Sequence, residues 1–223
     1  GGNDDYRWAQ FWTDFYGDED ASRHLVKLPW YTVYGNHDMG KSDPCPCDGT
    51  GMYCHQTNNA AYPTWIMPNL TYHVPMPELN IEIIGLDTNF DWQGDICKYA
   101  NCGDTTTCYY NLLKRTAYAG THFVERYQES TAKTLVVFSH YPVDYLYANP
   151  EILDLLPDQS KHDIVYFGGH RHNTDQNGPS IAPNTQWLVG GGGGYGCDGG
   201  QQGFVKGFVW ADGTVTTEVK LVK

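Results

Sequence analysis

Hydrophobic and polar positions along this chain fall into two periods. Trp8, Phe11, Trp12 and Phe15 recur at i, i+3, i+4 and i+7, the apolar stripe of a core-packing helix. Asn3, Asp4 and Asp5 supply its capping groups, and a Gly-Asp-Glu-Asp run over 17–20 ends it. Residues 28–34 (Leu-Pro-Trp-Tyr-Thr-Val-Tyr) are apolar, aromatic and β-branched, which predicts a buried strand. Further strands are predicted over 70–74, 81–87, 134–139, 163–167, 186–189, 203–210 and 214–222. The last two join through Asp212-Gly213, a strong hairpin signal. Residues 109–129 read as a helix with Leu112, Leu113, Thr116 and Ala117 on one side. Residues 150–156 read as a short helix with Pro150 at its start and Pro157 stopping it. Two stretches, about 40–62 and 88–108, carry cysteines among loop-forming residues and read as loop insertions. Strands and helices therefore intermix, which predicts an α/β (mixed α+β) fold. No internal repeat appears, and 223 residues suit one domain, 1–223, with a sizeable core.

Three predicted strands run into polar turns. The strand over 28–34 runs into Gly35-Asn36-His37-Asp38, that over 134–139 into His140-Tyr141-Pro142, and that over 163–167 into Gly168-Gly169-His170-Arg171-His172. In open α/β sheets, functional groups gather at the carboxyl ends of strands. These three ends offer one Asn, one Asp and four His, most of a metal site. Taken singly, Asn-His-Asp after Gly is ordinary turn chemistry, and a lone histidine at a strand end is most often a hydrogen-bonded structural residue.

The ordered set of those three motifs resembles the calcineurin-like metallophosphoesterases. The run Arg-Trp-Ala-Gln-Phe-Trp-Thr-Asp-Phe over 7–15, Leu-Pro-Trp-Tyr over 28–31, Leu86-Asp87-Thr88, and His140-Tyr141-Pro142-Val143 are similar to the purple (tartrate-resistant type) acid phosphatases. The resemblance runs from about residue 5 to the C-terminus. It implies a two-sheet β-sandwich flanked by helices, which the pattern of elements also fits. It implies hydrolysis of phosphomonoesters at a dinuclear centre, with iron paired with iron, zinc or manganese. Asn36, His140 and His170 would bind one ion and His172 the other. His37 would stabilise the phosphate and protonate the leaving oxygen, the work imidazoles do near neutral pH, and Asp38 would orient His37. The remaining histidines match no family motif and default to structure or surface.

The same resemblance implies further ligands from two strands ahead of the first helix, including a carboxylate that bridges both ions. Those strands do not precede the first helix here, so the fold is expected to be N-terminally incomplete. As written, the chain would hold one ion weakly or none. Two readings follow. One is a secreted acid phosphatase with a further N-terminal segment. The other is a non-catalytic scaffold or surface protein of the same fold.

Charge and cysteines narrow the setting. Net charge is −12, which argues against nucleic acid and anionic membranes as partners; the resemblance implies small phosphomonoesters or phosphoproteins as substrates. No apolar run reaches the length of a membrane span. The chain opens without Met or a signal peptide, so it is expected to be processed, truncated or incompletely known. There are seven cysteines, with Cys45, Cys47, Cys54, Cys97, Cys102 and Cys108 as disulfide candidates; the odd count implies a cysteine that is free, or whose partner is missing or on another chain. The rival for Cys45, Cys47 and Cys54 is a structural zinc site, which lacks a second paired half. Asn69-Leu70-Thr71 is a glycosylation sequon, in keeping with a secretory route. The insertion at 40–62 either shapes substrate access or is a tied surface loop. The glycine run 190–194 reads as a rim loop, since it lacks the Lys-Ser/Thr ending of a phosphate-binding loop.

Overall fold

The computed structural model describes residues 24–39, 45, 56–57, 61–90, 95–170, 175–176, 186–188 and 203–221. The predicted helix over 8–15, the glycine run, His172, Cys47, Cys54 and Cys197 lie outside the described residues. The strands are β1 (Trp30–Tyr31), β2 (Trp65–Ile66), β3 (Tyr72–Met76), β4 (Ile81–Leu86), β5 (Thr134–Ser139), β6 (Asp163–Gly168), β7 (Asp175–Gln176), β8 (Gln186–Leu188), β9 (Gly203–Val209) and β10 (Val215–Leu221). The helices are α1 (Asp95–Tyr99), α2 (Thr105–Glu129) and α3 (Pro150–Leu155), with 3-10 turns at His24–Lys27, Pro77–Leu79 and Val143–Ala148. The architecture is mixed α/β, with several sheets and packed helices.

The main sheet has six strands in the order β3-β4-β5-β6-β8-β7. Strands β4, β5, β6 and β8 are parallel neighbours, and β3 and β7 are antiparallel edges. The parallel centre explains the near-continuous Val, Ile and Leu runs of β4 and β5, since such strands are covered on both faces. Helix α2 crosses this sheet. Its Ala119, Phe123 and Tyr127 pack with Ile84 and Leu86 of β4, Leu135 and Val137 of β5, and Ile164 and Tyr166 of β6. Ile152 and Leu156, at α3 and just beyond it, join the same core. A second apolar cluster gathers Tyr34, Met39, Met67, Tyr72, Ile96 and Leu112. Its members Tyr34 and Met39 flank the first polar turn on either side.

Four sequence expectations need correcting. The segment 28–34 is not a buried strand of the main sheet: only Trp30–Tyr31 pair, in parallel with β2, and Leu28 is 54 % exposed. Pro29 has no N–H to give a ladder, and the Tyr72 hydroxyl reaches the carbonyls of Thr32 and Ile66, at 2.9 and 3.2 Å. The Thr32 N–H also donates to the Ile66 carbonyl, at 3.1 Å, so backbone and Tyr72 hydroxyl share that oxygen just past the paired residues. Second, the buried face of α2 is Cys108, Leu112, Thr116, Ala119, Phe123 and Tyr127, while Leu113 and Ala117 are exposed. The short predicted side had the right first members but the wrong neighbours one position on. Third, 88–108 is not wholly loop: it holds α1 and the first turn of α2, whose N-cap Asp104 accepts from the N–H groups of Thr106 and Thr107. Fourth, β3 starts two residues later than the predicted 70, at Tyr72.

Candidate metal centre

The register of the sheet places two of the three polar turns side by side. Phe138 of β5 pairs with Phe167 of β6, so both strands end at the same level. The turns are then tied directly, with Gly169 N–H donating to the His140 carbonyl at 2.8 Å. Gly168 makes this approach possible: a Cβ there would lie 2.7 Å from Pro142 Cα. His170 follows in the left-handed backbone region, φ 72°, a conformation that swings its ring back over the turn.

The first polar turn closes on itself. Asp38 Oδ2 accepts from Gly35 N–H at 2.7 Å, and Asp38 N–H donates to the Gly35 carbonyl at 3.1 Å. The other carboxylate oxygen of Asp38 accepts from Gln56 Nε2 at 3.0 Å. A Cβ on Gly35 would sit 3.0 Å from the His140 ring, so glycine lets that imidazole come close.

Three predicted ligands thereby meet. His140 Nε2 lies 2.7 Å from Asn36 Oδ1 and 3.1 Å from His170 Nδ1. Donor atoms that share one ion at about 2.0–2.2 Å stand on the order of 3 Å apart, so this spacing suits a common ion. Two imidazole nitrogens and an amide oxygen are a donor set for zinc, iron or manganese. Among the described residues no cluster of three His, Cys, Asp or Glu groups forms a metal site. The converging trio has two such groups plus an amide. The residues present therefore fit one metal ion. His37 is exposed beside them.

The trio opens on a cleft of about 270 Å³. Asn36, His37 and His170 line it together with Phe90, Tyr141, Tyr145 and Tyr147, and Asp95 contributes a carboxylate. Tyr141 and Tyr145 stack with ring centroids 5.5 Å apart and 12° between planes. The His170 ring stands edge-on to both, at 4.7 and 5.1 Å. Phe90 meets Tyr147 edge-on at 6.1 Å. Sequence reasoning did not single out this aromatic wall, because tyrosines beside a turn read as ordinary packing residues.

Away from the centre, Cys45 bonds to Cys102 and Cys97 to Cys108. The first bridge ties the insertion behind the first polar turn to the segment joining α1 and α2. Asn69 is exposed in the turn before β3, with its side chain accepting from Leu70 N–H at 2.8 Å. His162 is a structural histidine: its two ring nitrogens face the carbonyls of Ala132 and Tyr127, at 2.6 and 3.0 Å.

Helices packed on a largely parallel sheet, with His140 and His170 just past the ends of two neighbouring strands and Asn36 brought against them, make a mixed α/β fold with a candidate metal centre at one edge. The sequence matches the calcineurin-like phosphoesterases over residues 1–174, most of the chain. The chain belongs to that family. The matched span includes Asn36, His37, Asp38, His140, His170 and His172. No curated protein matches it significantly.

Proposed function

We propose that this chain is a secreted acid-phosphatase-like enzyme of the purple type, hydrolysing phosphomonoesters at a centre of two metal ions. The meeting of Asn36 Oδ1, His140 Nε2 and His170 Nδ1 at one point carries the reading. These three would hold one ion, and His172, with ligands from further strands, the second. A bound pair of ions supplies Lewis-acid charge for the phosphoryl oxygens and activates a water for attack. His37 lines the same cleft, where it hydrogen-bonds the phosphate and gives a proton to the leaving oxygen. Asp38 holds the turn that aims His37 through its bonds to Gly35 and Gln56. The leaving group packs on Tyr141, Tyr145, Tyr147 and Phe90. Two disulfides and the exposed sequon at Asn69 support a secretory compartment. No helix among the described residues is long and apolar enough to cross a membrane.

His37→Ala is expected to lower turnover at least ~10²-fold with metal content unchanged. Steady-state kinetics alongside elemental analysis checks it, and full activity in the variant removes His37 from the chemistry. Tyr145→Ala should raise KM for an aryl phosphate roughly 2- to 10-fold, the scale of one aromatic contact, and leave a small alkyl phosphate unaffected. Equal effects on both substrates would show that Tyr145 does not face the leaving group.

A further inference from the structure

Leu86-Asp87-Thr88 carried part of the family resemblance yet received no role. Its three-residue continuation, Asp87-Thr88-Asn89, is buried, at 0, 3 and 0 % exposure. It stands at the end of β4, next to β5, and its side chains reach the residues that lead into the Asn36 and His140 turns. Asn89 Nδ2 donates to the Tyr34 carbonyl at 2.8 Å, one residue before Gly35, and to Asp87 Oδ1 at 2.8 Å. Asp87 in turn pairs with Arg115 of α2. That guanidinium lies over the Tyr34 ring and reaches the Met39 sulfur at 3.4 Å, so it touches the first turn at both ends.

The second arm is a chain of hydroxyls. Thr88 Oγ1 donates to Ser139 Oγ at 3.0 Å. Ser139 Oγ and Tyr166 Oη are 2.6 Å apart, and Tyr166 Oη donates to the Tyr141 carbonyl at 2.7 Å. Ser139 Oγ also donates to the Tyr141 carbonyl, at 2.9 Å, so the Ser139 and Tyr166 hydroxyls both converge on that oxygen. The chain joins β4, β5 and β6 and brackets His140 from both sides, at Ser139 and Tyr141. Through the bond from Gly169 to the His140 carbonyl it also reaches the turn of His170.

We propose that Thr88 and Asn89 are positioning residues of the metal centre, with Asn89 fixing the Asn36 turn and Thr88 fixing the His140 and His170 turns. A core of apolar side chains sets strand spacing, but it does not fix where a polar turn sits to a fraction of an ångström. Directional bonds in a dry site do. Groups that orient metal ligands typically affect metal affinity 10- to 100-fold. The metal-affinity part of this inference rests on the proposed centre.

The test compares Thr88→Val, which keeps shape and loses the hydroxyl, with Thr88→Ser, which restores it. Thr134→Val is the control. Thr134 is 0 % exposed and donates to the Gly213 carbonyl at 2.7 Å, but it sits at the opposite end of β5. Two readouts are taken on the full chain. Amide hydrogen exchange at Gly169 and Asp38, without metal, reports the turns themselves. Cobalt(II) titration, followed by its visible absorption, reports the ligands. Thr88→Val should speed exchange at Gly169 and weaken cobalt binding about 10-fold or more, with Thr88→Ser near wild type. Asn89→Ala should speed exchange at Asp38. Thr134→Val should lower stability without changing either readout. Unchanged exchange at Gly169 in Thr88→Val, or an equal effect from Thr134→Val, overturns the proposal. Wild-type protein that binds no cobalt overturns the metal-centre reading, while the exchange data still decide the positioning role.

Discussion

Gly168 has no side chain because Pro142 occupies the space. A methyl group there would meet backbone at 2.7 Å, and backbone cannot turn aside as a flexible side chain can. Gly168→Ala should therefore push the His140 turn away from the His170 turn. We expect a loss of about 1–3 kcal/mol in stability and weaker metal binding, measured by denaturant unfolding and cobalt titration. Unaltered cobalt affinity would show that the two turns do not depend on this contact. At this scale the polar members of the site were legible. Asn36, His37, His140 and His170 stand out because each follows an apolar run; the structure sets His140 against Asn36 and His170, and Asn36, His37 and His170 line one cleft. Thr88, Ser139 and Tyr166 were not legible. A hydroxyl inside an apolar strand gives no periodic signal, and only the partner across the sheet reveals what it does.

Among the elements, α2 is the one whose interior chemistry sets a pH dependence. Glu82 of β4 is buried under it. Burial alone would raise that carboxyl, but bonds from Arg126 and Ser130 outweigh it and hold the group ionised, below its ordinary range. His122 sits nearby, with Nε2 3.3 Å from His73 Nδ1 of β3. Burial first, then the neighbouring His73 and Arg126, depress the His122 pKa to about 4 from an ordinary 6.5. The unfolded chain therefore takes up a proton between pH 6.5 and 4 that the folded chain refuses. Stability is full above pH 6.5 and is lost progressively as pH falls to about 4. His122→Gln should flatten this part of a plot of Tm against pH. A variant with the same slope as wild type would place the acid sensitivity elsewhere.

Element type was readable here because long periodic segments announce themselves: the centre of α2, with β4, β5 and β6, lies where the hydrophobic pattern put it. The segment over 28–34 was not readable. Its composition is that of a strand, but the Tyr72 hydroxyl that takes up the Thr32 carbonyl comes from forty residues on, which the segment's own composition does not contain. The same holds for α1, five residues too short to show a period.

For the whole molecule, the two disulfides among the described residues and the buried Glu82–Arg126 pair hold the same body together from different directions. Cys45–Cys102 secures the ground behind the first polar turn, so reduction should loosen the proposed centre before it unfolds the sheet. Non-reducing gels should show a mobility shift on reduction, and cobalt affinity should fall in reduced protein that keeps its far-UV circular dichroism. Retained affinity would confine the bridges to a stabilising role. The pairing itself was invisible in the sequence, since seven cysteines permit many connectivities and only spatial proximity selects among them.

The most direct test of the account is metal content by elemental mass spectrometry, on wild-type protein from its natural source and on His140→Ala, with phosphatase activity measured on the same samples. The account predicts about two transition-metal ions per chain in active wild type, and loss of both metal and activity in the variant. Wild-type protein with a negligible fraction of an ion per chain and no phosphatase activity would contradict it, and would leave the non-catalytic scaffold as the reading of this fold.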